Sequence, residues 1–119
     1  MRRMDTKLVE CFGIDPRSRG LRVQISNRKS FVFAHEHFIH SEWEAGDEAE
    51  TLKIYFMNHE VTITGYDLRR IEAMMQSREI AWVIPAQRRY RAGDKGFIMN
   101  MSVRCLDDEN APTEPNPAD

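Results

Sequence analysis

Residues Thr51 to Pro85 read TLKIYFMNHEVTITGYDLRRIEAMMQSREIAWVIP, and this stretch carries more folding information than any other part of the chain. Leu52, Ile54 and Phe56 alternate with Lys53 and Tyr55, the two-residue period of a strand with one buried face. Asn58 and His59 then offer a two-residue turn, and Val61 and Ile63 restart the alternation on a second strand. Thr64-Gly65-Tyr66-Asp67 has capping-box spacing, so Thr64 is expected to accept an early helix amide while Asp67 favours the positive end of the helix. The helix runs from about Tyr66 to Arg78. Leu68, Ile71, Met74 and Met75 form its buried stripe, with Arg69, Arg70, Glu72 and Gln76 on the wet side. Ile80 to Ile84 is apolar on both faces and stops at Pro85. That pattern predicts a central strand covered by the helix on one side and by a loop, terminus or second subunit on the other.

Working upstream, Ala45 to Glu50 reads as an acidic hairpin loop. It joins the Leu52 strand to one in which Ile39, Ser41 and Trp43 face one way and His40, Glu42 and Glu44 the other. A three-strand antiparallel meander therefore spans Ile39 to Thr64. A bulge or break over His35 to Phe38 separates it from the extended segment at Phe31 to Phe33, and Leu21, Val23 and Ile25 mark an earlier short strand. Downstream, Phe97, Met99, Met101, Val103 and Cys105 alternate with Asn100, Ser102 and Arg104 and form the last strand. Met1 to Gly13 fits a short helix or an edge strand equally well. The expected fold is a small α+β domain: about six strands in a mostly antiparallel sheet, with one helix packed on a face. Trp43, Trp82 and the methionines read as core filler.

The chain has 119 residues, 41% hydrophobic and 30% charged, which suits one domain with one core, placed at residues 1–106. Residues 107–119, DDENAPTEPNPAD, lie beyond Leu106 and combine acids and prolines without a large apolar side chain. They are expected to form a disordered acidic tail. No apolar run approaches the roughly 18 residues of a membrane span, and the start has too short an apolar stretch for a secretion signal, so a cytoplasmic location without membrane association is expected. Cys11 and Cys105 form no CxxC pair, sit in apolar contexts and read as buried free thiols, with an end-to-end disulfide as the alternative.

Net charge is -2, but the charges are segregated. Met1 to Lys29 holds eight basic and three acidic residues, and Ser30 to Glu60 holds one basic and seven acidic. Such alternation is what complementary neighbouring elements produce, or a dipolar surface that orients a partner. The best candidate binding residues are Arg88, Arg89, Tyr90, Arg91 and Lys95. Guanidinium groups take phosphate bidentately and a tyrosine among them stacks on a base, which would suit nucleic acid or another anion. Arg17, Arg19, Arg22, Arg28 and Lys29 extend this patch if the loops meet at one sheet end.

His35, Glu36, His37 and His40 lie close together but do not form HExxH, because Ile39 stands where the second histidine would be needed. On a regular strand His35 and His37 share a face, which makes them the weak metal-ligand candidates. Zinc needs three or four ligands, and a third would have to come from His59, Glu60 or another chain. No serine sits in a GxSxG elbow and neither phosphate-binding glycine motif is present. Glu36, Glu42, Glu44 and Glu60 could pair across a hairpin, a pattern equally common on solvated sheet faces. The sequence thus points to a non-catalytic, cofactor-free protein-binding or homo-oligomeric assembly module, with nucleic-acid binding through the arginine loop as the alternative.

Overall fold

The structure is a computed structural model that describes residues 10–86 and 96–106. Along the chain its elements are β1 (Phe12–Ile14), β2 (Gly20–Ser26), β3 (Lys29–Ala34), a 3-10 turn (His35–His37), β4 (Phe38–Ala45), β5 (Glu50–Phe56), β6 (His59–Tyr66), α1 (Arg69–Ser77), β7 (Ile80–Val83) and β8 (Phe97–Cys105). The class is α+β and mostly strand. The described strands number eight, however, and they form two four-stranded sheets, in spatial orders β1-β7-β2-β3 and β4-β5-β6-β8, rather than about six in one sheet. No helix among the described residues is long and apolar enough to cross a membrane. The segment at 107–119 lies outside the described residues.

Two features account for the second sheet and the added edge strand. The chain changes sheets at the 3-10 turn, where the His35 amide donates to the Arg19 carbonyl beside the first sheet and the His37 carbonyl accepts from the Met57 amide beside the second. The break anticipated near His35 is therefore a corner. The second feature is that β7 enters the first sheet parallel to β2, with Val83 opposite Val23, and antiparallel to β1, with Trp82 opposite Gly13. Phe12 and Gly13, the end of the undecided amino-terminal segment, thus belong to an edge strand, while residues 1–9 lie outside the described residues.

The inner faces of the two sheets share one core. Leu21, Val23, Ile80 and Val83 come from the first sheet and Leu52, Ile54, Val61, Ile63 and Ile98 from the second, all fully buried. Phe33 stacks on Phe56 across the gap, ring centroids 4.6 Å apart. The helix adds Leu68, Ile71 and Met75, fully buried, while Met74, the fourth residue of the expected stripe, is only partly buried against the core. It is shorter at its start than Tyr66, because β6 stays paired with β8 through Tyr66 opposite Phe97. Asp67, at φ 57°, then turns the chain into the helix, and Arg78, at φ 59°, ends it in the left-handed conformation common at helix ends.

The meander is antiparallel throughout, with two differences of phase. Its second turn is Met57-Asn58, one residue earlier than the sequence suggests, since Tyr55 pairs with Glu60. Ile39 is displaced outward by a register shift between Phe38 and His40 and stands exposed. In β8 the alternation slips as well: Ile98 and Met101 are buried, while Met99 and Asn100 both face out. The slip faces Gly65, where a Cβ would press on the Phe97 carbonyl, so only glycine fits without movement. Trp82 is not a core anchor. It stands on the outer face of the first sheet with its indole over Gly13, in the space a side chain there would need.

Candidate functional site

Arg88, Arg89, Tyr90, Arg91 and Lys95 lie outside the described residues. The basic residues proposed to extend them do not gather. Arg17 and Arg19 precede β2, Arg28 and Lys29 follow it, and a seven-residue strand separates the two groups by about 20 Å. Nor do His35 and His37 share a face, because they sit on the 3-10 turn rather than a strand. His35 is buried, and its Nε2 lies 3.0 Å from the Ile80 carbonyl, which only accepts, so Nε2 carries the proton. His37 is exposed. No group of three or more potential metal ligands occurs among the described residues.

The carboxylates fall into two structural clusters. Glu60 is buried on the outer face of the second sheet. Its Oε1 accepts from Arg104 Nε at 3.0 Å and Nη2 at 2.6 Å, and its Oε2 lies 3.3 Å from the Tyr55 hydroxyl and 3.8 Å from Lys53 Nζ. Tyr55 also stacks on His40. Desolvation, followed by the Glu60 and Glu42 charges, pushes the Tyr55 phenol above its ordinary value. Around this row the face is hydrophilic: Glu42, Lys53, Thr62 and Ser102 share one register row, and Glu44, Thr51, Thr64 and Asn100 the next.

The second cluster centres on Glu50, which the sequence places in an acidic loop. Its carboxylate accepts the Leu68 amide at 2.7 Å, the Asp67 amide at 3.0 Å and the Trp43 indole N–H at 2.9 Å. Arg69 lies over the Trp43 ring at 4.0 Å. Both clusters commit their polar groups to partners within the fold.

The third feature is the open edge of the first sheet. Among the described residues β3 has a single hydrogen-bonded neighbour, β2. The bond from the His35 amide to the Arg19 carbonyl extends the β2–β3 register, and alternation then makes Leu21–Phe33 and Val23–Phe31 the hydrogen-bonded pairs. The main-chain N–H and C=O groups of Ser30, Val32 and Ala34 consequently point away from β2. Beside this edge lies a groove of about 470 Å³ whose lining includes Phe31, Phe33, Phe56, Met57, Asn58 and His59. Val32, 63% exposed, and Met57, 59% exposed, flank it. Lys29 stands over the Phe31 ring at 5.5 Å.

The other edges are guarded in ways this one is not. β1 has only three residues, β4 carries His40, Glu42 and Glu44 and a displaced Ile39, and β8 is kinked opposite Gly65. β3 reads KSFVFA, with one charge at its start and no proline. The sequence does display this run of aromatic and β-branched residues. It does not reveal that the run lies at a sheet edge, because that depends on β7 inserting on the other side of β2. No protein-family model, curated protein sequence or solved structure matches this chain.

Proposed function

We propose that this chain is a non-catalytic protein-binding module whose working surface is the open edge of β3 together with the adjoining aromatic groove. The observation that carries the reading is the run of main-chain groups at Ser30, Val32 and Ala34 that point away from β2 and meet no other strand among the described residues, bordered by exposed Val32 and Met57. An extended segment laid along β3 gains ladder hydrogen bonds. Every second side chain of that segment falls into the groove over Phe31, Phe33 and His59. Affinity in such an arrangement comes from the main chain and selectivity from the groove. The non-catalytic part of the reading is supported by the use of Glu50, Glu60 and His35 in bonds that hold elements together.

The test is amide hydrogen exchange on the full chain, alone and with ligands selected from a displayed library of random extended peptides. Slowed exchange at Ser30, Val32 and Ala34, together with methyl shifts at Val32 and Met57, is the expected result. Peptides that bind and leave these sites unchanged, or a library that yields no binder and a chain whose edge amides exchange freely at every concentration, would sink the reading.

A further inference from the structure

We infer that the occupant of the β3 edge is a second copy of this chain, paired antiparallel through β3 about a two-fold axis at Val32. The inference rests on the reading of β3 as a binding edge and adds the identity of the partner.

The register follows from the strand itself. An antiparallel pair related by a dyad at Val32 sets Val32 opposite its own counterpart, and Ser30 opposite Ala34 of the other copy. These are the residues whose N–H and C=O groups point outward, so each pair exchanges two bonds. Phe31 then lies across from Phe33 of the other copy on the groove side, an aromatic cross-strand pairing. On the outer face the existing row Trp82, Arg22, Val32 runs on into Val32, Arg22, Trp82 of the second copy, so the exposed valine gains an apolar neighbour.

Charge favours the same register. It sets the basic start of β3, Lys29 with the exposed Arg28 just before it, at the end of β3 of the other copy, where the exposed Glu36 stands on the 3-10 turn, and this juxtaposition of opposite charges occurs twice by symmetry. A parallel arrangement would bring Arg28 and Lys29 of the two copies together, as would a slip that centres the axis on Lys29. The two first sheets would join into one continuous sheet of eight strands, and the bare edge would disappear.

Light scattering after size exclusion on the full chain, across a hundredfold concentration range, tests the inference. The expected mass is twice the 13.9 kDa of one chain. Val32→Pro removes an N–H that the β2–β3 ladder does not use and should return the mass to one chain. Because proline could also disturb the strand, charge reversal supplies an independent arm. Arg28→Glu or Glu36→Arg alone should raise the dimer dissociation constant about 5-fold at low salt, and the double reversal should restore it. A wild-type chain that stays monomeric at every concentration, or a dimer indifferent to Val32→Pro and to both reversals, overturns self-pairing. In that event the peptide selection separates the two failures: a peptide that protects the Val32 amide preserves the binding-edge reading, and its absence ends that reading too.

Discussion

Glu50, the first residue of β5, holds the Leu68 amide at 2.7 Å and so closes the start of a helix that lies 18 residues further along the chain. The helix has no side-chain cap of its own, since Leu68 stands at the cap position, Asp67 turns the chain at φ 57°, and the residues up to Tyr66 are still engaged in β6. Its first amides would otherwise lack partners. Thr64, which capping-box spacing nominates, belongs to the β6 ladder opposite Thr51 and Asn100. The carboxylate arrives from the neighbouring strand instead, and Trp43 and Arg69 hold it in place.

Replacing Glu50 by alanine should cost about 2 kcal/mol in urea unfolding, the scale of losing charge-assisted bonds to a helix start, and glutamine should cost less because its carbonyl still accepts. The residue also makes stability depend on pH. Desolvation raises its pKa, but the Trp43 N–H, the Leu68 and Asp67 amides and Arg69 together outweigh it, so the folded carboxyl titrates below its ordinary value. A group lowered on folding contributes stability that is present above the ordinary glutamate value and is lost as pH falls through the folded one. Wild type should therefore lose stability relative to Glu50→Gln as pH drops below about 4.5, and parallel pH curves for the two proteins would refute this role.

Gly65→Ala tests the slip between β6 and β8. A Cβ there would lie 3.0 Å from the Phe97 carbonyl carbon and 3.1 Å from Ile98 Cα, all main chain that cannot rotate aside. The expected penalty is about 1 to 3 kcal/mol, read as a lowered melting temperature. Gly96→Ala is the control, because its nearest neighbour at 3.3 Å is the Ile71 Cδ1 methyl, which can move. Equal effects at the two glycines would count against the backbone explanation.

How much of this could be read from the sequence depended on range. The helix stripe, fully buried at Leu68, Ile71 and Met75 and partly at Met74, and the β4–β5–β6 meander were legible because both follow from local periodicity and short turns. The parallel pairing of β7 with β2 was not, since it joins residues 60 apart and leaves no local mark. The slip at Ile98 was invisible because Phe97, Met99 and Met101 alternate well, and the only hint, Gly65, sits on another strand. At the candidate site the sequence directed attention to charged and histidine clusters, whereas the structure draws it to KSFVFA. What singles out that stretch is that, among the described residues, it has a strand on one side only, and neighbours are set by topology.

The two thiols should differ sharply in reactivity. Cys11 is buried, with the Ile98 amide 3.4 Å from its sulfur, and burial pushes its thiol above the ordinary value; Cys105, expected to be buried, is exposed instead, at the end of β8. One equivalent of a thiol reagent should react quickly with the native chain and a second only after unfolding. The Cys11 sulfur sits beside Ile98, and Cys105 lies seven residues further along β8, about 23 Å away, so no disulfide joins the two within one folded chain. Rapid reaction of both thiols in native buffer would contradict this placement.

The Glu60 cluster gives a prediction in which geometry and exposure pull in different directions. The two bonds from Arg104 to one carboxylate oxygen suggest a strong pair, and the Glu60 side chain is only 7% exposed, but the Arg104 side chain is 70% exposed and its charge is screened by water. Screening should decide the outcome. A double-mutant cycle of Glu60→Gln and Arg104→Gln is expected to give a coupling of about 0.5 to 1 kcal/mol that shrinks as salt is raised. Glu60→Gln alone should cost more than Arg104→Gln alone, because it also weakens the contacts from Lys53 and Tyr55, whereas loss of Arg104 leaves both in place. A coupling above about 3 kcal/mol, unchanged by salt, would mean that the pair behaves as a buried one and that the outer face of the second sheet is covered in solution.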